Sequence, residues 1–153
     1  MNLINGLHFR IIDTEHHLYP GVKNLRFEYL RKPLGLELTD ADTRNDRNEI
    51  ILVAVFAGKV IASVQLRPLE NGKAKLRQMV VDAPYRKKGV GRLLLQYAEK
   101  VALTRGFNIM ELNARKYAVP FYEKCGYLIT THEFIEVGIP HYKMEKRLCN
   151  ERT

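Results

Sequence analysis

The chain has 153 residues, with 25 Lys and Arg against 17 Asp and Glu for a net charge of +8, and is 46% hydrophobic and 27% charged. That composition describes one soluble globular domain spanning 1–153. A chain of this length buries roughly 70% of the surface its unfolded form exposes, so its core needs no disulfide or metal staples. Cys125 and Cys149 have no CxxC partner and no His at zinc-ligand spacing, which fits a reducing, cytoplasmic compartment and no metal site. The longest apolar run, from Ile50 to Ala57, falls far short of the roughly 20 residues of a bilayer span. The start, from Met1 to Arg10, lacks the basic and cleavage features of a leader. The positive surplus has three uses open to it: nucleic acid, an acidic membrane surface, or a small polyanion such as a phosphorylated cofactor.

Leu7 to Ile12 reads as a first strand, and Asp13-Thr14-Glu15 supplies polar residues suited to opening a helix. Val22, Leu25, Phe27, Tyr29 and Leu30 form an incomplete helical stripe, stopped by Pro33 and Gly35. Leu38 to Asn48 is polar and reads as a surface loop or a short mobile helix. Ile50 to Phe56 and Val60 to Leu66, joined by Ala57-Gly58-Lys59, predict a hairpin of two buried strands. After the Asn71-Gly72 turn, Ala74 to Val81 alternates as a fourth strand, with Gln78 and Val80 on the face of Ala74 and Leu76. Val90, Leu93, Leu94, Tyr97, Ala98 and Val101 follow the helical spacing over more than three turns, ending at Gly106. Asn108 to Ala114 reads as strand and Pro120 to Lys124 as a short helix closed by Gly126. Tyr127 to Phe134 and His141 to Arg147 read as two final strands separated by Gly138-Ile139-Pro140. The order of elements predicts a mixed α/β domain.

The segment that carries chemistry runs from Met79 to Arg92, where a strand enters a basic, glycine-containing turn that opens the long helix. Backbone N–H groups and the helix dipole then face an anion, with Gly89 and Gly91 permitting close approach and Arg86, Lys88 and Arg92 adding charge. The turn is either a phosphate cradle or a solvated basic helix cap. It is not a P-loop, because no Gly-Lys-Ser/Thr follows, and Leu94 takes the third glycine position of a dinucleotide fingerprint.

Arg86-Lys87-Lys88-Gly89-Val90-Gly91 resembles the Gln/Arg-x-x-Gly-x-Gly/Ala signature of the GNAT superfamily of N-acetyltransferases. A second family feature, Ala-x-x-Phe-Tyr-x-x-x-Gly-Phe/Tyr, is matched by Ala118 to Tyr127 after the strand from Ile109 to Asn113. The resemblance covers roughly residues 7 to 148. Gly138-Ile139-Pro140-His141 and Leu30-Arg31-Lys32-Pro33-Leu34-Gly35 further resemble a subgroup of small bacterial acyltransferases. The implied fold is the GNAT-type acyl-CoA N-acyltransferase fold, an α/β (α+β) domain with a mostly antiparallel mixed sheet of about seven strands flanked by helices.

The resemblance implies acetyl-CoA as donor, with no metal. Its pyrophosphate would lie on the amides of Lys87, Lys88, Gly89, Val90, Gly91 and Arg92, beside Arg86. The pantetheine arm would lie along Met79, Val80 and Val81, where main-chain groups also polarise the thioester carbonyl. Tyr122 matches the family tyrosine that protonates the departing thiolate. The family's cofactor-contacting Asn falls here at Arg115, with Asn113 two residues earlier, and either is the contact.

An acceptor amine of pKa about 10.4 is only about 0.04% neutral at pH 7, whereas an α-amine of pKa about 7.7 is about 17% neutral, so only the first places strong demands on a general base. His141, Glu136 and Glu111 are the candidates, with His141 at the start of the last strand. His16-His17 read as surface residues, and Cys125 as a packing residue rather than a nucleophile. Glu37, Asp40, Asp42 and Asp46 border the acceptor side by family analogy and offer charge to a cationic amine. The partners implied are a small-molecule or peptide amine, with no nucleic acid and no membrane; homodimers are common in the family. A second reading keeps the fold but makes the protein a non-catalytic acyl-CoA sensor or interaction protein.

Overall fold

The computed structural model describes residues 5–149; residues 1–4, where the segment read above as lacking a leader begins, and 150–153 lie outside them. Among the described residues the protein is of mixed α/β architecture with eight mostly antiparallel strands, and it divides into two compact units. The first is built from the chain up to Arg67 and from Gln78 to Ala98; the second, from Pro68 to Arg77 and from Glu99 onward.

In the first unit β1 (His8–Ile12) pairs antiparallel with β2 (Ile50–Phe56), His8 facing Val55 and Ile12 facing Ile51. β2 pairs antiparallel with β3 (Lys59–Pro68) through a two-residue turn in which Ala57 and Gly58 have φ of 52° and 74°. Such a left-handed pair matches strand twist, and it makes the connection one residue shorter than the sequence signal. α1 (Tyr19–Arg26) lays Leu18, Tyr19, Val22 and Leu25 on Ile12, Ile51, Val53, Val55, Val60 and Val80. Each such side chain contributes about 1.5–3 kcal/mol when fully buried. Gly21 eases the close approach, since a Cβ there would meet Val60 at 3.3 Å and the two would have to part by a few tenths of an ångström.

α1 starts later than Asp13-Thr14-Glu15 predicts, because Asp13 spends its carboxylate on the Glu15 amide at 2.9 Å and its carbonyl on His16 at 3.2 Å, closing a local turn. Past Arg26 the helix widens into a π-turn, Phe27–Arg31, then tightens into a 3₁₀ turn, Lys32–Leu34, stopped at Gly35 with φ 72°. The polar stretch that follows is ordered by hydrogen bonds. α2 (Asp40–Thr43) opens with a reciprocal Thr39–Asp42 capping box, and a 3₁₀ turn, Asp46–Asn48, leads into β2. Asp46 is buried rather than on the surface: its carboxylate accepts from the Tyr19 hydroxyl, from Arg26 Nη1 at 2.7 Å and from Gln65 Nε2 at 3.1 Å. It is therefore spent inside the protein and does not offer its charge to an outside amine.

The last strand shared by both units is β4 (Lys73–Val81). Within the second unit its first residues run parallel to β5 (Ile109–Arg115), Lys73 to Ile109 through Leu76 to Leu112. Within the first unit Gln78 has φ 59°, a left-handed residue inside a strand, so the simple alternation predicted for Ala74 to Val81 is broken there. A 3₁₀ turn, Ala83–Tyr85, leads to α3 (Val90–Thr104), which ends before Gly106 at φ 93°.

In the second unit β8 (Ile139–Arg147) lies antiparallel to β5, Ile109 facing Arg147 and Arg115 facing His141. Its other edge carries β6 (Leu128–Ile129) and β7 (Phe134–Glu136), while α4 (Val119–Lys124) follows β5. The single strand predicted for Tyr127 to Phe134 is thus two, giving eight strands rather than seven. The interruption is made by Thr130 and Thr131: the Thr130 amide donates to the Lys143 carbonyl at 2.9 Å and the Thr131 hydroxyl accepts from the Lys143 amide at 3.0 Å. Register puts Ala74, Leu76, Met110, Leu112, Ala114 and Met144 on one buried face and Glu111, Asn113, Arg115, His141, Lys143 and Glu145 on the other.

Candidate functional site

The basic turn belongs to the first unit. Its backbone alternates in hand: Arg86 is extended, Lys87 is left-handed at φ 61°, and Gly89 is left-handed at φ 84°, immediately before α3 opens at Val90. First-turn amides of a helix have no intrahelical partner, and left-handed residues turn successive N–H groups to one side, which together make an anion-binding concavity. Lys87, Lys88 and Arg92 are exposed around it.

Arg86 is placed differently from its neighbours. Its Nε donates to the Val81 carbonyl at 2.8 Å, and its guanidinium lies 4.6 Å from the centroid of the Tyr29 ring. The Tyr29 hydroxyl donates to Asp82 Oδ1 at 2.6 Å and accepts from the Ala83 amide at 3.1 Å, while Lys59 Nζ approaches Asp82 at 3.8 Å. The π-turn therefore grips the entry to the basic turn by its backbone and its first arginine. Tyr29 and Asp82 carry no motif signal, and 53 residues separate them, so nothing local in the chain announces the pairing.

Tyr122 belongs to the second unit, on α4. It is 7% exposed, edge-on to Phe121 at 5.1 Å and to Tyr127 at 5.8 Å. Tyr127, itself fully buried, donates to Glu99 Oε2 at 2.8 Å, and Lys146 Nζ ties Glu99 Oε1 at 3.0 Å and the Cys125 carbonyl at 2.9 Å. Tyr127, Glu99 and Lys146 thus anchor the wall against which Tyr122 packs. Burial, reinforced by the nearby Cys125 and Tyr117, pushes the Tyr122 hydroxyl well above the usual phenol range, so it keeps its proton.

The polar face of β5 and β8 gathers the remaining candidates. Glu111 sits between Lys73 at 3.9 Å and Lys143 at 3.7 Å, so its carboxylate is balanced by two cations. Asn113 Nδ2 donates to Glu136 Oε1 at 3.0 Å. His141 is 3% exposed; its Nδ1 lies 2.8 Å from the Ile139 carbonyl and its Nε2 3.9 Å from Glu136 Oε2, with Phe134 stacked on the ring at 5.9 Å. A carbonyl only accepts, so Nδ1 carries the hydrogen and Nε2 is left as the basic nitrogen of the neutral ring. The structure therefore brings Asn113, Glu136 and His141 together, with Arg115 facing His141 in register. His16 and His17 stack on each other at 4.5 Å, and among the described residues no group of three or more His, Cys, Asp and Glu could hold a metal ion. No helix of the described residues is long and apolar enough to cross a membrane.

Residues 16–127 match the model of the Acetyltransferase (GNAT) family, and the chain belongs to that family. YjcF of Bacillus subtilis, named an N-acetyltransferase, is 35% identical over 65% of this chain and 71% of its own. A solved protein of Lactobacillus plantarum is 25% identical with a TM-score of 0.85, covering 95% of this chain and 100% of that one. An aminoglycoside 6′-N-acetyltransferase solved with coenzyme A is 17% identical with a TM-score of 0.78, over 94% and 98% of the two chains. The fold is accordingly that of the GNAT acyltransferases, and the activity class is acyl transfer from CoA.

Proposed function

We propose that this chain is a single-domain acetyl-CoA-dependent N-acetyltransferase acting on a primary amine. The observation that carries the reading is the left-handed Lys87–Gly89 turn opening onto α3, whose amides and flanking Lys87, Lys88 and Arg92 fit a pyrophosphate. The donor set suits a phosphorylated cofactor, and a relative of the same fold is solved with coenzyme A. Lys87, Lys88, Gly89, Val90, Gly91 and Arg92 hold the pyrophosphate in this reading, Met79, Val80 and Val81 offer main-chain groups to the pantetheine arm, and Asn113 or Arg115 adds a contact. When bound, acetyl-CoA supplies an acyl group activated as a thioester.

The residues then divide the proton work. His141 Nε2 takes a proton from the acceptor nitrogen, whose lone pair forms the new C–N bond as the C–S bond breaks. Tyr122 gives its proton to the leaving sulfur, and burial keeps that proton in place until it is needed. Burial disfavours the phenolate, so Tyr122 would regain a proton from solvent before the next turnover. A cytoplasmic location accompanies this reading, supported by a sequence with only two cysteines and no CxxC spacing between them. A homodimer does too, to be checked by light scattering.

The deciding experiment is a screen of primary amines that follows release of free CoA thiol, run beside calorimetry with acetyl-CoA. Saturable acetyl-CoA binding with thiol release on at least one amine is the expected result. Absence of saturable binding up to millimolar acetyl-CoA by a folded sample overturns the reading. Binding without turnover on any acceptor returns the sensor alternative.

A further inference from the structure

Two charged side chains stand in the wall behind Tyr122. Lys146 faces Met110 in register, so its stem starts on the same side of β8 as the fully buried Met144. Glu99 reaches it from α3, and the two side chains are 28% and 14% exposed. Charges drawn this far out of water cost solvation unless their polar atoms are used. Here they are: Lys146 Nζ donates to Glu99 Oε1 at 3.0 Å and to the Cys125 carbonyl at 2.9 Å, and Glu99 Oε2 accepts from the Tyr127 hydroxyl at 2.8 Å. All three bonds converge on the end of α4 and on the tyrosine that follows it.

That end needs holding. α4 has six residues, too few to keep a helix by themselves, and Tyr122 lies in its last turn. Gly126, at φ 98°, closes it: the Gly126 amide donates to the Glu123 carbonyl at 3.0 Å and the Tyr127 amide to the Tyr122 carbonyl at 3.0 Å. This pair of bonds is a Schellman ending, whose outer bond joins Tyr127 to Tyr122. The same two residues meet again through their rings, edge-on at 5.8 Å. Tyr122 is therefore tied to Tyr127 by main chain and by side chain, and Tyr127 is tied in turn to Glu99. Lys146 locks the joint from the other side. Its Nζ lies 5.6 Å from the Tyr127 ring centroid, it takes a carbonyl that the helix end leaves over, and it passes so near Gly126 that a Cβ there would meet its Cε at 3.2 Å. These contacts take the carbonyl and the ring of Tyr122 and leave its hydroxyl out.

We propose that Glu99 and Lys146 are positioning residues for the Tyr122 hydroxyl, acting through Tyr127 and through the closed end of α4. The proposal rests on the acetyltransferase reading, in which Tyr122 protonates the leaving sulfur, and deepens it by naming what aims that proton. A general acid works only within hydrogen-bond reach, about 2.6–3.2 Å between heavy atoms, and a misplacement of about 1 Å costs on the order of 10²-fold in rate. Removing Glu99 strips both the Tyr127 hydroxyl and Lys146 of their shared partner, so the ring against which Tyr122 rests is free to shift. Removing Lys146 releases the Cys125 carbonyl and leaves the Glu99 carboxylate without its cation. Neither side chain touches the reacting atoms in this reading, so the loss falls on the acyl-transfer step and not on cofactor affinity.

The test measures single-turnover acetyl transfer from acetyl-CoA to the most active primary amine of the thiol-release screen. It compares the wild type with Glu99→Ala, Glu99→Gln, Lys146→Met and Tyr127→Phe, each alone and combined with Tyr122→Phe. Circular dichroism verifies the fold, and Tyr127→Phe, which keeps the ring and removes one hydroxyl, carries the test where Glu99→Ala does not fold. The expected result is that Glu99→Ala, Lys146→Met and Tyr127→Phe each slow the single-turnover rate about tenfold with the Kd for acetyl-CoA unmoved. Glu99→Gln, whose amide oxygen still accepts from Tyr127, slows it less. In the Tyr122→Phe background the same changes slow nothing further, because the proton they aim is gone. A tenfold loss that repeats in full in that background overturns this inference, as does an unchanged rate in both Glu99→Ala and Tyr127→Phe, and either result leaves the acetyltransferase reading standing. An unchanged rate in Tyr122→Phe alone also overturns it, again with acyl transfer intact. Absence of turnover on any amine by the folded wild type overturns the two together.

Discussion

The Arg86 guanidinium stacks on the Tyr29 ring at 4.6 Å while its Nε holds the Val81 carbonyl at 2.8 Å, so the first arginine of the GNAT signature faces back into its own unit. Tyr29 completes the clasp by bridging Asp82 and the Ala83 amide. Both partners flank the start of the basic turn, and removing one hydroxyl frees both. Tyr29→Phe keeps the stacked ring but leaves the Ala83 amide to water and Asp82 to water and Lys59, at a cost of about 0.5–1.5 kcal/mol. The expected outcome is a several-fold higher Kd for acetyl-CoA by calorimetry with the amine KM unchanged. An unchanged Kd removes Tyr29 from cofactor positioning.

Lys87 and Val137 occupy left-handed backbone at φ 61° and 44°, where only glycine is free of strain. Replacing either by glycine relieves about 1 kcal/mol, which for a chain this size raises Tm by about 2–4 °C. Val137→Gly gains more than Lys87→Gly, because a branched Cβ is worst there. Lys87→Gly keeps the amide that faces the anion, so acetyl-CoA binding weakens only by the loss of one exposed charge. Thermal unfolding checks both variants, and a lowered Tm in either refutes the strain assignment.

Several of these features follow from signals within a few residues of chain. The β2–β3 hairpin was legible because its β-branched residues are buried on both faces and Ala57-Gly58 accepts left-handed backbone. α3 was legible from its stripe of Val90, Leu94 and Ala98, and the phosphate turn from Gly89 at the helix start. What escaped depends on partners far away. The polar stretch before β2 looks like a solvated loop until Arg26 and Gln65 are seen to bury Asp46. Asp13 has the composition of a helix opener but caps a turn. The break after β6 arises from Thr130 and Thr131 bonding Lys143 across the chain. Of the site, His141 was a candidate by its place at the start of the last strand and Glu136 by its place on the same rim just before it, while the Asn113 amide that holds Glu136 is visible only once β5 and β7 are in place.

Tyr122 makes a kinetic prediction whose sign comes from its environment. Burial raises its pKa above the ordinary phenol value, so the acid form persists upward through and beyond that value rather than being lost below it. Loss of kcat on raising the pH from 8 to 10 is therefore assigned to another group. Tyr122→Phe lowers kcat by about 10²-fold, the small end of general-acid contributions, with acetyl-CoA affinity nearly unchanged. A stopped-flow single-turnover measurement at each pH separates chemistry from release. An unchanged single-turnover rate in the phenylalanine variant excludes Tyr122 as the acid.

The buried pair of Arg26 and Asp46, with side chains 2% exposed on each side, sets the last prediction. Asp46 Oδ2 takes both Tyr19 and Arg26, Arg26 also reaches Gln65 at 3.0 Å and the Asp42 carbonyl at 3.1 Å, and Arg26 Nε has no partner among the described residues. Breaking such a pair by removing one partner leaves the other buried and uncompensated, which costs about 3–5 kcal/mol, whereas replacing both by apolar residues of similar size costs far less. Asp46→Ala is therefore expected to lose most of that range in urea unfolding, and Arg26→Met with Asp46→Leu to lose much less than the single variant. Tyr19→Phe, which removes one of three donors to the carboxylate, costs only about 1 kcal/mol. Because Arg26 also holds the Asp42 carbonyl, the double variant releases α2 even where it restores stability, and faster amide hydrogen exchange at Asp42 and Thr43 follows. A double variant as unstable as Asp46→Ala shows instead that the cost lies in lost packing volume, not in an orphaned charge.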